Sequence, residues 1–286
     1  MQVINLNLDT GGMRPIVEVF SPYDYNQDFT ININHTQNRR VNVEKYPLLC
    51  SIVNEIRSKG NTCNINLNCQ QSCSQLMYAE RMGFLSSLGI KYQYLLPKRN
   101  GGGRFIELIN ISNIFFPGKE LLDLFQNDFN FTYDEALDIS TVISELVNNG
   151  YMHANSSGGV MLYGQKYPSQ NFLNLFIIDS GIDIFNAMNT VEKYSHLDEL
   201  GTLKKSIEFG EGNGKGYGQG LYLVSQFVKR NNGSLLLVTG RQSYSISNGI
   251  EKFEDIQTDY KGVILNLKLS FNITTSIEDI MNEKIN

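Results

Sequence analysis

Apolar and polar positions along this chain follow two rhythms, one of period two and one of period 3.6. Strict alternation with β-branched residues marks strands at FTININ and TCNINLN, and RFIELINI reads as a further strand after the loop KRNGGG. Between them, EKYPLLCSIVNEIRSKG reads as a helix, with Pro47 near its start and Gly60 as its stop. CSQLMYAERMGFLSSLG is a second helical segment, broken around Gly83. The alternation of strand and helix predicts a small α/β domain over residues 1–115, a sheet covered by helices.

Pro117 and Gly118 interrupt the pattern and mark a join. KELLDLFQNDF then reads as a helix. Thr132 and Glu135 form a T-x-x-E capping box, so a long helix begins near Tyr133. Ala136, Leu137, Ile139, Val142, Ile143, Leu146 and Val147 supply its apolar face, while Asp138, Thr141, Glu145 and Asn149 run along another. GGVMLYGQKY and NFLNLFIID read as antiparallel strands joined by PSQ, the second ending in Asp179-Ser180-Gly181. Residues 184–211 are poorly patterned. LYLVSQFVKRNN is helical, Gly233 stops it, and SLLLV and KGVILNLKLSF are strands. These elements define a second α/β domain over residues 116–272, and residues 273–286 read as a polar tail that frays.

Composition narrows the function classes. With 41% hydrophobic residues the chain can build real cores. Its net charge is −5, and Lys and Arg are scattered without forming a stripe, so nucleic acid is not a favoured partner. No apolar run approaches the ~20 residues of a membrane span, and the first residues carry no secretory signal pattern. The expectation is a cytoplasmic protein with no membrane partner. Cys50, Cys63, Cys69 and Cys73 show no C-x-x-C pair and no histidine at ligand spacing, so reduced thiols are expected rather than zinc.

Three separated pieces carry chemistry. Glu145 and Asn149 are four residues apart on the long helix and share a face. Such a pair is often only a solvated stripe. A carboxylate held there can equally orient or deprotonate an attacking water or hydroxyl, and an Asn oxygen is a hard donor suited to Mg²⁺. Asp179, at a strand end, can accept a hydrogen bond from an amine, and Gly181 lets a base approach the backbone. The glycines of GEGNGKGYGQG free backbone N–H groups to face phosphate at the start of the helix near Leu221.

In this order the pieces resemble the GHKL superfamily of ATPases, which groups gyrases, a class of chaperones, histidine kinases and MutL. ELVNNGYMHA is similar to its N-box, IIDSGIDI to its first glycine box and GYGQGLYLV to its second, with NNGSLLL resembling the segment that follows. The resemblance spans about residues 118–270. It implies a Bergerat-type two-layer α/β sandwich that binds ATP with Mg²⁺. Glu145 would be the general base and Asn149 the Mg²⁺ ligand. His153 would line the phosphate end, Asp179 would read the adenine amine and Gly181 would let the base dock. Gly216, Gly218 and Gly220, with Leu221 at the helix start, would shape a lid over residues 184–215. Lys215 would be placed to reach a phosphate, although a solvated lysine is the commoner case. Asp183 departs from the family's second glycine and stiffens the hinge, and Gly262-Val263 departs from its Gly-Thr.

Among members, the form of SELVNN and GQGLYLV resembles bacterial anti-sigma-factor serine kinases, and the first domain loosely resembles a STAS domain. ATPase or protein-kinase chemistry at Glu145, regulating a partner protein that is STAS-like or another component of the same system, is one expectation. The other is a non-catalytic module, gated by ATP or ADP, in a signalling or defence complex. A homodimer is compatible with either.

Overall fold

The computed structural model describes residues 1–8, 13–35, 44–69, 74–91, 104–111, 118–153, 155–212 and 218–285. The chain is mixed α/β, and its described residues build two sheets. In the first, β1 (Gln2–Asn7), β2 (Phe29–His35) and β3 (Cys63–Cys69) run parallel in that order. The connections carry α1 (Arg14–Phe20) and α2 (Lys45–Ser58). β1 and α1 add to the elements expected from sequence. Alternation sends Ile4, Leu6, Ile31 and Ile33 into the core. The opposite face carries asparagines in register: Asn32 donates to Asn5 at 2.8 Å and Asn66 donates to Asn32 at 2.9 Å. α3 (Ser74–Arg81) and α4 (Phe84–Ser87) follow. Gly83, at φ +80°, makes the break between them.

The second sheet is antiparallel, with five strands. They are β4 (Phe105–Ile111), β5 (Val160–Tyr167), β6 (Phe172–Asp179), β7 (Ser234–Ser247) and β8 (Ile250–Ser270), in the order β4-β5-β6-β8-β7. α5 (Gly118–Asn127), α6 (Tyr133–His153) and α9 (Gly220–Arg230) pack on one face, against Leu162, Leu175, Ile177, Leu237 and Leu267. Alternate residues Met161, Tyr163, Phe176, Ile178 and Ile264 belong instead to the core of the first sheet, where α2 meets β5 and β6 and α1 meets β8. Burial on both faces explains why LNLFIID is nearly continuous in apolar residues rather than alternating.

Four expectations need correction. Residues 105–111, assigned to the first domain, pair with β5, so the second sheet begins before residue 116. Leu137 is exposed; only its neighbours on the buried stripe reach the core. The last strands are much longer than SLLLV and KGVILNLKLSF, because Asn248 and Gly249, both at positive φ, turn a hairpin that continues past the sheet. The C-terminal tail forms α10 (Ile277–Ile285). Ser276 and Asp279 cap it reciprocally, Ile280 is fully buried, and Arg230 makes a bidentate pair with Glu283 at 2.7 Å.

Candidate functional site

The cleft is assembled from four element ends. α6 starts where expected: the Thr132 N–H donates to Glu135 at 2.8 Å and the Glu135 N–H donates back to Thr132 Oγ1 at 3.3 Å. Its apolar stripe, from Ile139 to Val147, is buried against the sheet. That packing turns Glu145 and Asn149 toward the start of α9. A Cβ placed on Gly220 would lie 2.8 Å from Glu145 Oε2 and 2.9 Å from Asn149 Nδ2. Glycine at the first residue of α9 is therefore what admits both side chains. Burial raises the Glu145 carboxyl above its ordinary pKa.

Asp179 ends β6 beneath this pair. Its Oδ1 accepts the Gly181 N–H at 3.1 Å, while Oδ2 faces Gly150 of α6. Gly150 has no room for more: a Cβ there would meet Val160 at 2.8 Å. β8 comes equally close, since a Cβ on Gly262 would sit 2.4 Å from the Asp179 carbonyl oxygen. Asp179 is 3% exposed, and burial pushes its carboxyl up to about 8. The Gly181 and Val263 N–H groups pull it down, and the charges of Glu55 and Asp183 add to the rise.

Glu145, Asn149, Asp179, Gly218, Gly220 and Leu221 line one cavity of about 510 Å³. Ile182, Ile184, Met188 and Val263 add apolar wall. Gly218, at φ +65°, could take no side chain, because its Cβ would meet the Glu211 backbone at 2.8 Å. Gly181 holds Asp179 but is not itself among the lining residues. The side chain of His153, and Lys215 and Gly216 entirely, lie outside the described residues. Two arrivals had no clear signal in sequence. Glu211 lines the cleft where it accepts from Tyr194 and, at 2.6 Å, from Lys193. Met188 comes from a helix of five residues, too short to show a period.

The expected lid is substantially folded. α7 (Ile184–Met188) and α8 (Glu199–Ser206) span it, and Met188, Tyr194, Thr202 and Leu203 are buried. Asp183 caps α7, accepting the Asn186 N–H at 2.8 Å. An aspartate at this point begins a helix, where a glycine would have left a hinge. Thr239, the cross-strand partner of Val263, accepts the Ile184 N–H at 2.9 Å, so a hydroxyl does reach this corner from β7.

Chemically, the cavity offers a buried acceptor at its floor, a carboxylate beside a carboxamide on its wall, and the N-terminal end of an eleven-residue helix. Its volume lies in the range of small-molecule and cofactor sites. Elsewhere, Cys50 and Cys63 are buried, and burial pushes their thiols up to about 12 and about 11. Among the described residues no helix is long and apolar enough to cross a membrane. No family model matches the sequence, and a search of curated proteins returns no match.

Proposed function

We propose that the chain is a Mg²⁺-dependent ATP-binding protein of the GHKL type, with a Bergerat-like sandwich formed by the second sheet and α5, α6 and α9. One observation carries the reading. Three motifs lying thirty or more positions apart in sequence, at Glu145–Asn149, Asp179 and Gly218–Leu221, converge on one cavity of about 510 Å³. Asp179 supplies a buried acceptor for an exocyclic amine, and the close approaches at Gly150 and Gly262 keep it rigid. The start of α9 lines the cavity, and the N–H groups of a helix's first turn suit phosphate oxygens. Mg²⁺ is commonly held through one or two protein oxygens plus substrate phosphates. Asn149, beside Gly220, fits that role. Glu145 then acts on the nucleophile, as a base or as an orienting acceptor, and the rise in its pKa on burial makes its carboxylate a stronger proton acceptor.

Calorimetry on the full chain tests the binding: ATP or ADP with Mg²⁺ stabilises it, and Asp179→Ala removes the effect. No response of the folded protein to any adenine nucleotide defeats the reading. Glu145→Ala keeps ATP but loses ~10²–10⁴ in turnover, the usual worth of a positioned acid or base. Asn149→Ala fails differently, by weakening the triphosphate complex with Mg²⁺. Unchanged turnover in Glu145→Ala would shift the reading to a non-catalytic module that ATP gates.

A further inference from the structure

Helix α2 belongs to the first sheet, yet it touches the cleft's supports at both ends. Ser51 and Glu55 stand one turn apart on the same face, and both are buried. Ser51 Oγ lies 2.8 Å from Ser180 Oγ, which lies 3.0 Å from the Tyr260 hydroxyl. Tyr260 donates to the carbonyl oxygen of Asp179 at 2.7 Å. A phenol has one proton, so this last bond fixes the direction of the others: Ser180 donates to Tyr260, and Ser51 donates to Ser180. A single ordered chain thus runs from α2 to the backbone of the cleft floor.

Glu55 grips the other end. Its carboxylate accepts the Gly158 N–H at 2.7 Å, Ser156 Oγ at 3.0 Å and Ser157 Oγ at 3.2 Å, with the Lys59 ammonium at 3.3 Å. Residues 156–158 join α6, which carries Asn149, to β5. The fit is close enough that a Cβ on Gly158 would stand 2.5 Å from the Glu55 nitrogen. Neither Ser51 nor Glu55 lines the cavity. A carboxylate this deeply buried is costly unless its oxygens are satisfied, and here the donors come mainly from the loop behind α6.

We propose that α2 positions the nucleotide cleft from behind, with Ser51 setting the strand end at Asp179 and Glu55 setting the loop after α6. The first sheet thereby controls the affinity of the site. Both are positioning residues, and the inference rests on the nucleotide-binding reading above. A displacement of α2 reaches the floor and the far end of α6 together. By linkage the effect is reciprocal, so a nucleotide that tightens either end also biases α2.

The test uses the full chain, reading ADP affinity with Mg²⁺ by calorimetry and amide exchange at residues 155–159 and 179–182. Glu55→Ala weakens ADP about tenfold, a typical coupling, and raises exchange in the 155–159 segment. Glu55→Gln, which keeps an acceptor of the same shape, recovers most of the affinity. Ser51→Ala raises exchange at 179–182 and leaves 155–159 as it was. Wild-type affinity and exchange in folded Glu55→Ala and Ser51→Ala overturn the proposal. Should Glu55→Ala not fold, Ser51→Ala decides it, because unchanged exchange at 179–182 is equally fatal. If the wild type binds no adenine nucleotide, the functional reading fails, while the exchange pattern still judges whether α2 holds the two segments.

Discussion

Asp179 carries a cost beside the role proposed for it. Its carboxyl, pushed up to about 8 by burial, with Glu55 and Asp183 adding to the rise, keeps a proton that the unfolded chain releases near 3.9. Between about pH 4 and pH 8 the native state therefore binds more protons than the unfolded one, and stability falls as pH rises through that window. Asp179→Asn escapes this penalty. It should exceed wild type in stability by about 2 kcal/mol or more at pH 8, with the gap closing toward pH 4, since each pKa unit is worth about 1.4 kcal/mol. Urea titrations at both ends of the window check it, and parallel pH dependence of the two proteins counts against a protonated Asp179. Gly220 makes a sharper claim about the site. Gly220→Ala meets no left-handed backbone, and alanine favours a helix by up to about 1 kcal/mol. Its Cβ nevertheless falls on Glu145 and Asn149. The variant should melt within a few degrees of wild type while losing nucleotide affinity. Retention of full affinity would mean that Glu145 and Asn149 do not act from the positions they hold.

Elements were legible where their period was long enough to repeat. α6 runs for 21 residues with a capping box, and its start and buried stripe follow directly, save for Leu137. β2 and β3 declared themselves through alternation. α7, with five residues, and α8, with eight, hold too few turns to show a period, so their stretch read as a floppy lid. The hairpin beyond residue 240 had its signal in Asn248-Gly249, flanked by polar residues that hid the strands. The C-terminal tail misled for a different reason. Among the described residues its helix buries Ile280, and its anchor, Asn231, lies far back in sequence, just past the end of α9. Asn231 Oδ1 accepts the Thr274 and Thr275 N–H groups at 2.7 and 2.9 Å, a tertiary fact without local signature. Removing residues 273–286 should cost about 3 kcal/mol. Lost burial of an isoleucine is worth about 1.5–3 kcal/mol and an orphaned buried amide about 1–3. A shift of less than about 0.5 kcal/mol in denaturant melts would return the tail to a frayed appendage.

At the scale of the whole molecule, the boundary at residue 116 read from Pro117 and Gly118 governs what can be cut. The three motifs of the cleft all lie beyond it, which invites isolating residues 116–272 as an ATP-binding unit. The sheet argues otherwise. β4 would be lost, leaving the edge of β5 unpaired over Val160 to Gln165. The back face would lose α1 and α2 and open Met161, Tyr163, Phe176, Ile178, Tyr260 and Ile264 to water, all now at most 1% exposed. Six such side chains at about 1.5–3 kcal/mol each come to roughly 9–18 kcal/mol, comparable with the whole stability of a typical domain, about 5–15 kcal/mol. Residues 116–272 alone should therefore aggregate or melt without cooperativity, whereas the full chain unfolds in a cooperative transition. Adding back β4, as residues 104–285, should repair the edge without covering the face, and so restore little. Size-exclusion chromatography and thermal melts of the three proteins separate these outcomes. A monomeric 116–272 fragment that melts within a few degrees of the full chain would mean the second sheet carries its own stability and the first sheet is only a neighbour.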